Sequence, residues 1–199
     1  MNYDFIAIGD DTIDSFIRLS EASVHCKVNR EDCEICMRFA DKIPYEDVFI
    51  VPGVGNSPNA AVSAARLGLK SALVANVGND FFGKQCLQAL KKAKVATEYV
   101  LTHDKTKTNY HYVLWYEDDR TILVKHQPYP YFLPALVNPR WVYLSSVGKD
   151  SEEFHKMIEQ YLTQNLEVKL AFQPGTYQMK LGIEKLKKIY ERTEVFIVN

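Results

Sequence analysis

The stretch Gly53-Val54-Gly55-Asn56-Ser57-Pro58-Asn59-Ala60-Ala61, running on to Ala65-Arg66-Leu67-Gly68, marks a change of rhythm in the chain. Before it, apolar residues come in short strand-like runs; after Pro58 they follow a helical period. Ser57 before Pro58 reads as an N-cap with proline at the first helical position, opening a helix over Asn59–Leu67 that closes at Gly68. Glycines before a helix let the backbone approach a ligand, and the helix start offers N–H groups and the positive end of a dipole. Asn56 and Asn59 can each donate and accept hydrogen bonds, which suits a polyol. An ordinary turn and helix cap would use the same residues. A dinucleotide fingerprint is excluded, because Pro58 stands where its third glycine would fall. No Gly-Lys-Ser/Thr occurs, which excludes a Walker loop.

On the amino-terminal side, Phe5–Ile8 reads as a buried strand ended by Gly9-Asp10-Asp11. Val24, Cys26 and Val28 alternate, as do Ile35, Met37 and Phe39, around Asn29-Arg30-Glu31-Asp32, which is the pattern of a hairpin. Val48–Val51 reads as a strand stopped by Pro52-Gly53. On the carboxyl side, Leu73–Ala75 predicts a strand and Phe81–Lys92 a helix capped by Asp80. Tyr110–Tyr116 and Thr121–Lys125 form a second hairpin pattern around Glu117-Asp118-Asp119. Trp141–Ser145 is a strand, and Glu152–Gln164 a helix with Asp150 and Glu153 spaced as a capping box. Val168–Phe172 is a strand, Met179–Glu191 a helix, and Val195–Val198 a strand of the central type. Strands alternating with amphipathic helices predict an α/β fold, a mostly parallel sheet flanked by helices on both faces. The half-polar hairpins suit a small β lid. A central strand is normally followed by a covering crossover, so the fold is expected to be unfinished at Asn199.

Composition sets the class. The chain of 199 residues is 47% hydrophobic and 25% charged, with 24 basic and 25 acidic residues, so no charged field points to nucleic acid. The apolar runs are too short for a membrane span, and Met1-Asn2-Tyr3-Asp4 lacks the basic flank of a secretory leader, so a cytoplasmic chain is expected. Four cysteines do not make a disulfide scaffold, and free thiols are expected. Cys33-x-x-Cys36 with Cys26 and His25 has a zinc-like look, but strand parity puts Cys26 and Cys36 on opposite faces, so no metal site is expected. His111, His126 and Cys86 read as structural or exposed, and Gln173-Pro174-Gly175-Thr176 as a turn.

The segment from Pro52 to Gly83 resembles the first signature of the ribokinase-like (PfkB) sugar and nucleoside kinases. That signature has a Gly-Gly-Asn-x-x-Asn-x-Ala core, matched here from Gly55 to Ala61, an Ala-Arg-Leu-Gly helix end, and then Val77-Gly78-Asn79-Asp80 with Gly83. Gly9, Asp14 five positions on, and Tyr143-Leu144-Ser145 match as well, so the resemblance spans essentially the whole chain. Val54 departs from it, taking the place of the first glycine of the usual pair.

The resemblance implies a single ribokinase-like domain over 1–199, doubly wound, with lid segments at about 18–50 and 108–127, and with the carboxyl-terminal third of the fold absent. It implies that Asp14 binds sugar hydroxyls, with Gly55, Asn56 and Asn59 as the other pocket positions. Tyr112, Leu114 and Ile122 would belong to the lid as pocket or packing residues. The family reaction transfers the γ-phosphoryl group of ATP, with Mg²⁺, to a sugar or nucleoside, using a Gly-Ala-Gly-Asp segment as anion hole and base. That segment is absent here, where the one Gly-Asp pair is Gly9-Asp10. Asn199 stands where an Asn-x-x-Glu motif for Mg²⁺ and phosphate would begin. The expectation is a sugar-binding part of a kinase, inactive alone, with a homodimer through the lid as a possible partner state. The alternatives are a non-catalytic sugar- or nucleoside-binding module, or an unrelated α/β protein.

Overall fold

Strand β1 (Phe5–Ile8) is apolar throughout because both of its faces are covered. The computed structural model describes residues 3–27 and 32–198. They divide into two compact units: Met1–Ile13, Pro52–Asn109 and His126–Asn199 form unit one, and Asp14–Val51 with Tyr110–Lys125 form unit two.

In unit one, β1 lies inside a six-stranded sheet. Its neighbours are β6 (Ser71–Gly78) and β10 (Trp141–Leu144); beyond them stand β7 (Val100–His103) on one side, and β11 (Lys169–Phe172) and β12 (Thr193–Phe196) on the other. Every pairing in this sheet is parallel. Ile6 is level with Ala72 and Val142, and Ile8 with Val74 and Leu144. These side chains share one face and meet Phe154, Ile158 and Leu162 of α3 (Glu152–Gln164), which recur every fourth residue as a helical stripe requires. Leu186 and Ile189 complete that layer. Ala7, Leu73 and Ala75 point the other way, where α1 (Asn56–Arg66) packs through the small residues Ala61 and Ala64, and α2 (Phe81–Lys92) through Cys86 and Leu90. The fold is therefore α/β, a mostly parallel sheet flanked by helices. Among the described residues no helix is long and apolar enough to cross a membrane.

Several boundaries differ from the sequence reading. Helix α1 starts three residues early, with Gly55 rather than Ser57 at the cap. Pro58 is tolerated in the first turn because its missing N–H would have no helical partner there. Its other end is as expected, with Gly68 N–H bonded to Ala65 O and Leu69 N–H to Ala64 O, a Schellman pair. Asp80 caps α2, its carboxylate accepting from Gly83 N–H at 2.8 Å. The expected Asp150–Glu153 box is not formed: Ser151 is the cap of α3, and its hydroxyl donates to Gly148 O instead. Met179–Glu191 is not one helix. It breaks into α4 (Thr176–Leu181), a 3-10 turn at Glu184–Leu186 and α5 (Lys187–Arg192), because Gly182 adopts φ 82. Strand β12 stands at an edge of the sheet rather than in its middle.

Unit two is built on a sheet in the order β5 (Tyr45–Val54), β2 (Thr12–Leu19), β8 (Asn109–Tyr116), β9 (Asp119–Leu123). Strand β5 runs through Pro52 and Gly53 instead of stopping there, which an edge strand permits because one row of its N–H groups needs no ladder partner. The second hairpin turns at Glu117 and Asp118, two residues rather than three. A separate pair, β3 (Ser23–His25) and β4 (Glu34–Cys36), forms the first hairpin, antiparallel with Val24 opposite Ile35. Met37 and Phe39 lie beyond its strand, and Phe39 is fully exposed. Val28, Asn29, Arg30 and Glu31, in and beside the expected turn, lie outside the described residues. The expectation of free thiols fails for two cysteines, since Cys26 and Cys33 form a disulfide across this hairpin; Cys36 and Cys86 are free.

Candidate functional site

At the carboxyl edge of the parallel strands, unit one gathers β1's end, β10's end and the start of α1. This is where ligands of open α/β sheets sit. Gly9 is required by crowding: a Cβ there would lie 2.5 Å from Ser57 Oγ and 2.9 Å from Ser145 Oγ. Ser57, read from the sequence as the cap, is fully buried and does something else. Its hydroxyl bonds to Ile8 O at 2.7 Å and to Ser145 Oγ at 2.6 Å, fastening the head of α1 onto the two central strands.

Gly55 carries φ 121, and a Cβ there would meet Asp10 O at 2.9 Å, so the bend needs glycine for both conformation and space. Asn59 N–H closes the first helical turn onto Gly55 O at 2.9 Å. The cap makes no side-chain hydrogen bond, and the first turn has no acidic residue. Asn56 and Asn59 are both exposed. Asn56 Nδ2 donates to Ser146 Oγ at 3.2 Å, an orientation that leaves Oδ1 as an acceptor. The structure therefore brings Gly55, Asn56 and Asn59 together at one junction.

Sequence reasoning missed a second layer beneath it. Asp10 is only 8% exposed. Its Oδ2 is 2.8 Å from His126 Nδ1, its Oδ1 accepts the Tyr131 hydroxyl at 2.8 Å, and its N–H donates to Ser146 O at 2.9 Å. Burial first, and the Asp10 carboxylate second, push the Tyr131 hydroxyl's pKa upward, so it stays a donor. Asp11 is fully buried, and burial pushes its carboxyl up to about 8, with the Thr12 N–H and the Cys86 thiol opposing the shift. Asn109, also fully buried, donates to Asp11 O, accepts from Gln127 N–H, and offers its own carbonyl to the Thr12 hydroxyl. His155 donates from Nδ1 to Ser151 O, so Nε2 accepts from Gln178 Nε2, which also donates to Ser145 O. Burial depresses the His155 pKa, consistent with this neutral form. Gln173 accepts the Tyr143 hydroxyl through Oε1, in a segment outside helix and strand. The doubled acid after a strand-ending glycine was the one available signal for this layer.

In unit two, Asp14 lies on β2 and is partly buried, its side chain 20% exposed. Its Oδ1 is 3.4 Å from His111 Nδ1 on β8. Side chains two apart on a strand share a face, so Asp14, Phe16 and Arg18 line one side of β2. Arg18 lies 5.1 Å over the Trp115 ring and pairs with Glu46 at 2.8 Å. Tyr112 and Ile122 are exposed and Leu114 is partly buried. Asn199 lies outside the described residues.

Comparison with known proteins places this geometry. The model of the pfkB family of carbohydrate kinases matches residues 50–165, more than half of the chain. The chain belongs to that family. It is 42% identical over 77 residues to a ribokinase of Bacillus subtilis, a match covering 38% of this chain and 26% of the ribokinase. The nucleoside kinase of Methanocaldococcus jannaschii, a member of the ribokinase family, superposes with a TM-score of 0.76 at 18% identity, covering 98% of this chain and 61% of that one. The ribokinase of Arabidopsis thaliana complexed with ribose and ATP gives a TM-score of 0.66 at 15% identity, covering 88% and 54%. The chain thus spans less than two thirds of the length of these relatives.

Proposed function

We propose that this chain is the sugar- or nucleoside-holding part of an ATP-dependent kinase that phosphorylates a hydroxyl of its substrate. One arrangement carries the reading: a glycine bend presents two exposed amides, Asn56 and Asn59, at the carboxyl edge of a parallel sheet, in a member of a carbohydrate kinase family. On this reading Gly55 admits the ligand against the backbone, and Asn56 gives one amide hydrogen to Ser146 while its Oδ1 accepts a ligand hydroxyl. Asn59 adds a second amide, and the Asp14 carboxylate accepts hydroxyl donors and rejects analogues that lack them.

ATP and Mg²⁺ enter as the co-substrate and ion of the family reaction. Among the described residues no group of three or more His, Cys, Asp or Glu side chains is placed to hold a metal ion, and the chain contains no Gly-Ala-Gly-Asp stretch. No step is assigned through either, and the chain by itself is proposed to bind without turnover. Asn199 remains the proposed point of contact for Mg²⁺ or phosphate. The proposal extends to a cytoplasmic protein and to a homodimer formed through the lid strands.

The test is thermal protection of the purified chain by D-ribose, D-fructose and adenosine. A shift with at least one of them, abolished by Asp14→Ala, is expected. No shift with any, or an equal shift in the variant, overturns the pocket. Phosphosugar production by the chain with ATP overturns the proposed lack of turnover.

A further inference from the structure

We infer that the Cys26–Cys33 bond is a reversible exchange site for a dithiol reductant, and that opening it releases β3 from β4. The bond closes the hairpin just beyond its last cross-strand pair, His25 opposite Glu34. Both cysteines are exposed. They line a cleft of about 570 Å³ within unit two, together with Leu114, Tyr116, Arg120 and Thr121 of the second hairpin. A reductant therefore reaches the bond from solvent, with no part of the fold to be opened first. Exposed disulfides are the labile and regulatory kind, whereas those that cement a fold resist reduction.

The ladder has little else to hold it. Strands β3 and β4 are three residues each, pair over three positions, and contain no buried residue. Val24 stands opposite Ile35, yet it is 47% exposed. A two-stranded hairpin with no covered face is marginal in water, so the cross-link decides whether the pairing persists. Lys27 and Asp32 bracket the bond with an ion pair at 2.9 Å, but both are exposed and such a pair adds little. Strand parity keeps the third thiol of the hairpin out of the exchange. Cys36 shares a face with Glu34, across from Ser23, while Cys33 and Ile35 face the other way. In the exchange, one thiolate of the dithiol attacks either sulfur, forming a mixed disulfide and releasing the other cysteine as a thiolate. The second sulfur of the dithiol then displaces the chain and closes its own disulfide. Two electrons and two protons pass to Cys26 and Cys33, and a disulfide oxidant runs the same steps in reverse.

The test treats the folded chain with reduced dithiothreitol, then reads each cysteine by alkylation and mass spectrometry. Cys26 and Cys33 should become labelled at a rate within about tenfold of that in the urea-unfolded chain, since access governs exchange. Oxidised glutathione should restore the same pair. On reduction, pulsed hydrogen exchange should quicken about tenfold or more over Ser23–His25 and Glu34–Cys36, with β2 and β8 unchanged as the control for an intact fold. Cys36→Ser should open and close as the wild type does. Reduction more than about 100-fold slower than in urea would mark a sheltered structural bond and overturn the inference. Hydrogen exchange of the hairpin that does not respond to reduction overturns it too. So does re-oxidation that fails to join Cys26 to Cys33, or that pairs Cys36 instead.

Discussion

Tyr131 gives its hydroxyl hydrogen to Asp10 Oδ1 at 2.8 Å and receives the Gly148 N–H on the same oxygen at 2.7 Å. One phenol thereby joins the end of β1 to the loop that precedes α3. Tyr131→Phe removes both bonds and leaves a nearly buried carboxylate one donor short. The expected loss is about 1–3 kcal/mol, read as a lower urea midpoint at unchanged slope.

Asp11 should make stability fall as pH rises. Its carboxyl is pushed up to about 8 in the folded chain from an ordinary value of 3.8, raised first by burial and then by Asp10. Between those values the folded state holds a proton that the unfolded state has lost, so the stability present at low pH is lost progressively up to about 8. Chemical denaturation at pH 5.5 and 8.5 (roughly, either side of neutrality) should show a decline of a few kcal/mol that Asp11→Asn largely removes. An equal decline in that variant would place the titrating group elsewhere.

Asp80 should show the opposite sign. Burial works to raise its pKa, but bonds from Thr108 and Gly83 outweigh it and hold the carboxyl low. Its contribution is present above the ordinary carboxylate range and is lost as pH falls through the depressed value. Asp80→Ala should cost about 1–3 kcal/mol at neutral pH and much less in strong acid.

Ile158 is fully buried between α3 and the sheet. Ile158→Ala should cost about 2–5 kcal/mol, the upper part of that range if the cavity stays open. Urea unfolding of this variant gauges how tightly that layer is packed.

The Cys26–Cys33 bond is directly countable. Alkylation of the denatured chain without reductant should label two cysteines, and four after reduction. Four labelled without reductant would show that the pair is open.

The sheet and most of its helices were legible because their signals are local. Asp80 caps α2 where the sequence says, and Gly68 closes α1, since each acts within its own turn. Ser57 was misread because its hydroxyl found partners at Ile8 and Ser145, the latter 88 positions away, and tertiary demand overrode a good local cap. The burial of Asp10 was not legible for the same reason; its partners His126 and Tyr131 are 116 and 121 residues distant. The Cys26–Cys33 pairing depends on how close a hairpin brings its two ends, which spacing alone does not state. Strand β7, with a threonine and a histidine among its four residues, had no apolar run to announce it.

Asn109 has a consequence for engineering. Unit one surrenders the chain after Ile13 and after Asn109, and recovers it at Pro52 and His126. Three of these four seams are stitched to Asn109: its side-chain amide donates to Asp11 O and accepts from Gln127 N–H, its backbone carbonyl accepts the Thr12 hydroxyl, and every stitch belongs to unit one itself. Grafts that exchange the inserted strands for those of a relative can keep their splice points there, provided that amide is left untouched.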